Sequence, residues 1–394
     1  MGQSGGCTAA MNSSLAGVLA EAAVHCQIGR VYGMRYGVQG ALAEDLVDLS
    51  GLSAAVIDAL RGTPAAALGT CRYRLRPEDP GRVVEVCRKH DIRYLFYIGG
   101  NDSADTSHRV ALAAADAGYE MRVIGIPKTI DNDLPLTDHS PGYGSIARFI
   151  ALATAGAGRD SEASARIDPV KLIEVMGRNA GWLAAASALG RRSEKDAPHL
   201  IYFPERPLSV GRFLADVESV YKEHGYAVVV VTETVRDDKG QPVAEGGVDV
   251  HDAFGHKRLS GAAHRLANLV EDELGIRARW DKPGTIQRSL MAASSKVDLD
   301  EAFAVGRAAV AQAVNGQSDR MVTLEREPGP VYQCRTGLAP LAAIANQEKT
   351  LPPEFINPAG NHVTEGFLHY ARPLIGEGVP EYPRLLDAPA LAEG

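Results

Sequence analysis

The sequence predicts an α/β protein with mainly parallel sheets, divided between two domains. Two observations predict it. Short β-branched or aromatic runs alternate with alanine-rich stretches along the chain, the pattern of strands covered on both faces by helices. The length of 394 residues also exceeds what one hydrophobic core usually serves.

The first helix, Ser13 to Val24, follows a loop rich in serine and glycine. Val31 to Tyr36 reads as a strand. Arg93 to Ile98 is a stronger one, because Tyr, Leu, Phe and Ile suit a pleated, buried surface. Further strands are predicted at Arg122 to Ile126, Lys171 to Met176, His199 to Phe203 and Ala227 to Thr232. Between them, Ala104 to Ala117, Ile146 to Ala157, Ala180 to Leu189 and Val210 to His224 read as helices, the last stopped by Gly225. Arg236 to Lys257 is polar and reads as a surface excursion, and the tail from Pro380 reads as irregular. No short-period repeat is present. Parallel sheets bind ligands beyond the carboxyl ends of their strands, so the loops there are the place to look for chemistry.

Composition narrows the function. A hydrophobic content of 45% and a charged content of 23% are those of an ordinary soluble globular protein. The formal net charge of −8 argues against nucleic acid as a partner. Clustered arginines in a cleft still bind small anions. Cys7, Cys26, Cys71, Cys87 and Cys334 have no metal-type spacing and read as reduced thiols of a cytoplasmic protein. No run approaches the ~18 apolar residues of a membrane span, and no signal peptide is seen.

Residues 126–133 read Ile-Pro-Lys-Thr-Ile-Asp-Asn-Asp. In an extended segment alternate side chains share a face, so Thr129, Asp131 and Asp133 project together. Lys128 and Asn132 join them only if the backbone turns. Paired carboxylates beside an ammonium suit proton abstraction from an alcohol while a phosphate is held close. Two glycine loops complement them. Ser4-Gly5-Gly6-Cys7-Thr8 leads into the first helix, and Gly99-Gly100-Asn101-Asp102-Ser103 joins a strand to a helix. Backbone N–H groups and a helix N-terminus both favour an anion there. The dinucleotide and Walker fingerprints are absent, which leaves a dehydrogenase a distant third reading.

These segments, with Glu174-Val175-Met176-Gly177-Arg178, Pro204-Glu205 and Pro283-Gly284-Thr285-Ile286-Gln287-Arg288, occur in the order that resembles the phosphofructokinase family. The resemblance implies two similar Rossmann-like domains with the active site between them. It places a donor domain at about 1–142 with 287–340, and a sugar domain at about 143–286 with 341–394. It implies phosphoryl transfer to O1 of fructose 6-phosphate with Mg2+. Asp131 matches the general base and Asp133 its supporting acid. Thr129 matches a ligand of the sugar or of the moving phosphoryl group. Met176, Gly177 and Arg178 match the segment contacting the sugar, with Arg178 also stabilising transition-state charge. Glu205 matches a sugar-hydroxyl ligand. Arg279 and Arg288 match arginines gripping the 6-phosphate, one of them from a neighbouring subunit. Gly6 and Arg72 match donor-phosphate contacts.

The donor follows from two positions. ATP-dependent relatives carry glycine where this chain has Asp102 and Lys128, so the chain resembles the pyrophosphate-dependent branch. A carboxylate at 102 stands where the inner phosphate of a nucleotide would pass. Like charges ~4 Å apart at an effective dielectric of ~20 repel by roughly 4 kcal/mol, about three decades in affinity. Lys128 neutralises charge on a pyrophosphate leaving group. Asn101 replaces a metal-ligating aspartate, leaving Asn101 and Asp102 as candidate Mg2+ ligands. Thr285 replaces a histidine of many ATP-dependent members. Pro169 falls where a phosphate-binding arginine is common, with Lys171 as the candidate substitute. Relatives carry an apolar strand before the Ser-Gly-Gly loop; its absence here predicts a start upstream of Met1. Two rivals stay open: an ATP-dependent phosphofructokinase and a catalytically silent sugar-phosphate-binding subunit. A homodimer or homotetramer is expected, and acceptors such as sedoheptulose 7-phosphate are not excluded.

Overall fold

The computed structural model describes residues 1–244 and 261–388. Its strands are β1 (Gly2–Gln3), β2 (Tyr32–Met34), β3 (Leu46–Asp48), β4 (Tyr94–Gly99), β5 (Arg122–Pro127), β6 (Val170–Val175), β7 (Leu200–Tyr202), β8 (Ala227–Thr232), β9 (Ala278–Asp281), β10 (Arg320–Arg326) and β11 (Cys334–Pro340). They form a five-stranded sheet in the order β1-β4-β5-β10-β11, a four-stranded sheet in the order β7-β8-β6-β9, and the separate ribbon β2-β3. All pairings in the two larger sheets are parallel except that of β10 with β11. The predicted strand at 31–36 is β2, and it belongs to the antiparallel ribbon.

The central strands owe their place to composition. Every residue of β8 is Val, Ala or Thr and all six are buried, the near-continuous apolar run of a strand covered on both faces. Helices Val210–His224 and Ala262–Leu274 cover one side of that sheet with Phe213, Val217, Leu266 and Val270. Trp182, Leu183 and the long helix Tyr143–Ala163 pack on the other. In the five-stranded sheet, Ile98, Ile124 and Ile126 meet Met11 and Leu15 of helix Ala9–Ala22 and Val305 and Val310 of helix Lys296–Val314.

Two expectations are corrected. The first strand is present, reduced to Gly2–Gln3 pairing with Tyr97 and Ile98. Met1 is buried beside it, its ammonium donating to the Tyr32 carbonyl at 2.6 Å. Helix 180–189 is shorter than predicted, because after Trp182–Ala186 the chain tightens into a 3-10 turn, Ser187–Gly190. Of the predicted excursion at 236–257, residues 236–244 form a polar turn in which Asp237 N–H donates to Gln241 O at 2.8 Å; the rest lies outside the described residues. From Pro380 to Ala388 the tail is irregular apart from the 3-10 turn Leu385–Asp387, and its remaining residues fall outside the description.

Candidate active site

The glycine loops and the acid pair converge beyond the carboxyl ends of β1, β4 and β5. Gly5 (φ +84°) turns the chain out of the first strand, a conformation that costs glycine least. Gly5 N–H donates to Cys71 O at 3.1 Å and Thr70 Oγ1 donates to Gly5 O at 2.7 Å, which brings Arg72 alongside. Thr8 caps helix Ala9–Ala22 through Ala10 N–H at 3.0 Å. Buried Asn12 ties that helix to the 63–67 segment, accepting from Ala67 N–H at 2.8 Å and donating to Thr63 O at 3.0 Å. A Cβ at Gly6 would lie 2.6 Å from Arg288 Nη1, so glycine there lets the guanidinium close over the loop.

Residues 128–133 follow β5. Lys128 is 3% exposed and donates from Nζ to Gly6 O at 2.7 Å. The strand ends at Pro127, so the backbone turns and delivers Lys128 to the glycine loop. Burial, then the nearby Arg288, pulls its pKa down to about 8. Thr129 Oγ1 accepts from Asp131 N–H at 3.2 Å and also bonds the Asp133 carboxylate, which unites the three alternate residues. Asn132 (φ +54°) is fully buried and works as a brace: it accepts from Ser140 N–H and donates to Tyr370 Oη, each at 3.0 Å. Burial, then the charge of Asp133, raises Asp131 to about 7, while Arg178 opposes the rise. Burial raises Asp133 as well. Asp133 Oδ1 is buried without a hydrogen-bond partner among the described residues.

The sheet of β6–β9 supplies the other wall. Gly177 (φ +139°) turns the chain after β6, and Thr234 Oγ1 donates to the carbonyls of Gly177 and Arg178. Met176 N–H donates to Gln287 Oε1 at 3.4 Å. Glu174 proves structural: it accepts from Gly261 and Ala263 N–H at the start of helix Ala262–Leu274, and from Lys282 Nζ at 2.7 Å. Glu205 Oε1 accepts from Gly181 and Leu351 N–H, each at 2.8 Å, and its Oε2 is buried without a partner among the described residues.

Asn101 and Asp102 open helix Asn101–Asp116 after β4, and Asn101 Oδ1 accepts from Asp102 N–H at 2.8 Å. Arg288 lies with Gly6, Lys128 and Arg72. Arg279 sits on the edge strand β9 with its side chain 62% exposed, paired with Asp168 at 2.5 Å. Lys171 is committed to Asp160 at 2.7 Å and Asp281 at 3.5 Å.

Sequence reasoning missed Glu233, Glu348 and Lys349. Burial raises Glu233, whose charge also acts on Asp131; it lies 3.7 Å from Lys282 Nζ. Its position directly after β8 was the available signal. Glu348 and Lys349 carry no local signal.

Glycine loops, the buried Lys128 and a carboxylate pair of raised basicity, brought together beyond the ends of parallel strands, suit phosphoryl transfer. A family model described as phosphofructokinase matches residues 1–313. The pyrophosphate–fructose 6-phosphate 1-phosphotransferase of Halomonas elongata is 44% identical over 96% of this chain and 92% of its own length. That of Methylococcus capsulatus is 42% identical over the same shares. The crystal structure of a pyrophosphate-dependent phosphofructokinase from Marinobacter aquaeolei superposes with a TM-score of 0.87 at 40% identity, covering 97% of this chain and 92% of that one. The chain belongs to the phosphofructokinase family.

Proposed function

We infer that this chain transfers a phosphoryl group from pyrophosphate to O1 of fructose 6-phosphate, giving fructose 1,6-bisphosphate and phosphate. The observation that carries the donor is Lys128. Its buried ammonium stands against the glycine loop, within the field of Arg288 and Arg72, where a bare diphosphate needs compensation.

Asp131 takes the proton of the 1-hydroxyl as its oxygen bonds to phosphorus, and the bridging P–O bond breaks to release phosphate. A base poised near neutrality does this best, and the environment of Asp131 holds it there. Lys128, Arg288 and Arg72 receive the donor charge. Arg178 spreads the charge of the moving group from the sugar side. Met176, Gly177 and Glu233 line that side; Glu205 offers its unpartnered oxygen to a sugar hydroxyl. Arg288 serves the donor rather than the 6-phosphate in this arrangement. Arg279 is left for the 6-phosphate, through an assembly that brings β9 to another copy's cleft. A homodimer or homotetramer is supported by the open edge of β9 with Trp280 44% and Ile167 61% exposed.

Asn101 and Asp102 offer oxygen donors only, the set a hard cation such as Mg2+ takes while most of its shell stays with pyrophosphate and water. When bound, the ion supplies charge neutralisation to the phosphates. No described helix is long and apolar enough to cross a membrane; a cytoplasmic location fits five unbridged thiols. The five-stranded sheet is read as the core of the donor domain and the four-stranded sheet as that of the sugar domain.

The reaction is readily run backwards. Fructose 1,6-bisphosphate and phosphate should yield pyrophosphate, followed by 31P NMR; no pyrophosphate at any enzyme concentration would refute the assignment. The acid limb of kcat/KM should fall about tenfold per pH unit below a midpoint near 7. Removing a neighbouring negative charge favours ionisation, so Asp133→Asn moves that midpoint to lower pH. A midpoint unmoved or raised would contradict the coupling.

A further inference from the structure

Four consecutive residues near the carboxyl end touch all three loops that carry the catalytic candidates. Asn346 Nδ2 donates to Asp105 Oδ1 at 3.0 Å, on the helix that Asn101 and Asp102 open. The Gln347 carbonyl accepts from Asn101 Nδ2 at 3.4 Å. Glu348 Oε2 accepts from Asn179 Nδ2 at 2.9 Å, one residue beyond Arg178. Lys349 N–H donates to Asp133 O at 2.7 Å. Its Nζ donates to Thr137 O at 3.0 Å and Asp138 O at 2.9 Å, over the face of Trp182.

These loops leave β4, β5 and β6, two from one sheet and one from the other. No strand pairing joins the two sheets among the described residues. Packing of Ile130 and Tyr143 with Val175 and Trp182 joins the two halves, with Tyr143 Oη donating to Trp182 O at 3.2 Å, and the finer placement of Arg178 against the Asp131–Asp133 pair depends on what bridges the loops. A misplacement of about 1 Å between reacting groups costs on the order of a hundredfold in rate, so such a bridge bears on catalysis without touching substrate.

We propose that residues 346–349 are an element that sets the register of the two half-sites, with Glu348 a positioning residue that acts on Arg178 through Asn179. Lys349 anchors the other end on Asp133. The simpler account makes the Glu348–Asn179 contact an exposed hydrogen bond, worth little to stability and nothing to turnover. The two accounts differ in what they move. A register element changes kcat; an incidental surface bond changes at most the thermal midpoint.

Glu348 and Asn179 are both exposed, so their exchange leaves no buried void. Glu348→Ala should lower kcat about tenfold or more, with KM for fructose 6-phosphate and pyrophosphate within about threefold of the parent. Glu348→Gln, whose amide oxygen still accepts from Asn179, should recover at least half of kcat. Asn179→Ala added to Glu348→Ala should bring no further loss. Parental kcat in Glu348→Ala, a Glu348→Gln as slow as the alanine variant, or losses that multiply in the double variant would each overturn the proposal. It rests on the reading that Asp131 and Arg178 carry the transfer. An active Asp131→Ser enzyme undoes that reading, whereas an inactive one beside a fully active Glu348→Ala undoes only this inference.

Discussion

Asp131→Ser should lower kcat by about 10²–10⁴, the range a positioned general base contributes. In free energy that is roughly 3–5 kcal/mol of barrier. Serine keeps a small polar side chain, and the backbone N–H at 131 still has Thr129 Oγ1 to bond. Asn132 continues to brace the loop through Ser140 and Tyr370. Substrate affinities should therefore change little, and the loss should fall on kcat. The same variant should be at least as stable as the parent near pH 8. Asp131 has a folded pKa of about 7, above the ordinary 3.8, so its ionisation is disfavoured in the fold. Above both values that cost is fully present, and removing the carboxylate removes it. Such exchange of stability for a poised group is common at active sites. A rate within a few-fold of the parent would discredit the base assignment.

Asp102→Gly combined with Lys128→Gly should shift the ratio of ATP use to pyrophosphate use upward by orders of magnitude. Both halves of the change push the same way. Removing the carboxylate relieves a like-charge contact of roughly 4 kcal/mol, about three decades, on an incoming nucleotide. Removing the ammonium withdraws the buried cation that faces Gly6 and, with it, compensation for the small diphosphate. Absolute activity with pyrophosphate should fall. The ratio of kcat/KM values is the quantity to read, because it cancels any general loss of active enzyme. An unchanged ratio would refute the charge argument at these two positions.

The parts of the fold legible in the sequence were those whose composition decides the outcome locally. Ala227–Thr232 and Val210–His224 lie where the pattern placed them, since an all-apolar strand and a glycine-stopped amphipathic helix need no help from elsewhere. Of the edge strands β7 was legible, but β9 and β11 escaped, as did the interior strand β10. β9 reads Ala-Arg-Trp-Asp and β11 contains Gly337 and Pro340, because an edge open to solvent accepts charge, glycine and proline. The same division holds at the site. Thr129, Asp131 and Asp133 do meet, but through a turn beyond the strand end at Pro127 rather than through the extended period of two that the sequence suggests. Lys128 depended on a backbone turn that starts at the strand end, and Asn132 on a positive φ that brings its amide back onto Ser140. Arg288 was matched to the sugar phosphate, yet tertiary packing lays it over Gly6. Lys349 reaches Asp133 from the far end of the chain, a contact no local pattern encodes.

The donor preference is the claim on which the rest depends, and purified enzyme supplied with fructose 6-phosphate and either donor measures it directly. Release of fructose 1,6-bisphosphate should be rapid with pyrophosphate, and kcat/KM with ATP should be lower by at least about a hundredfold, as a repulsion of several kcal/mol requires. Equal turnover with the two donors would contradict the account.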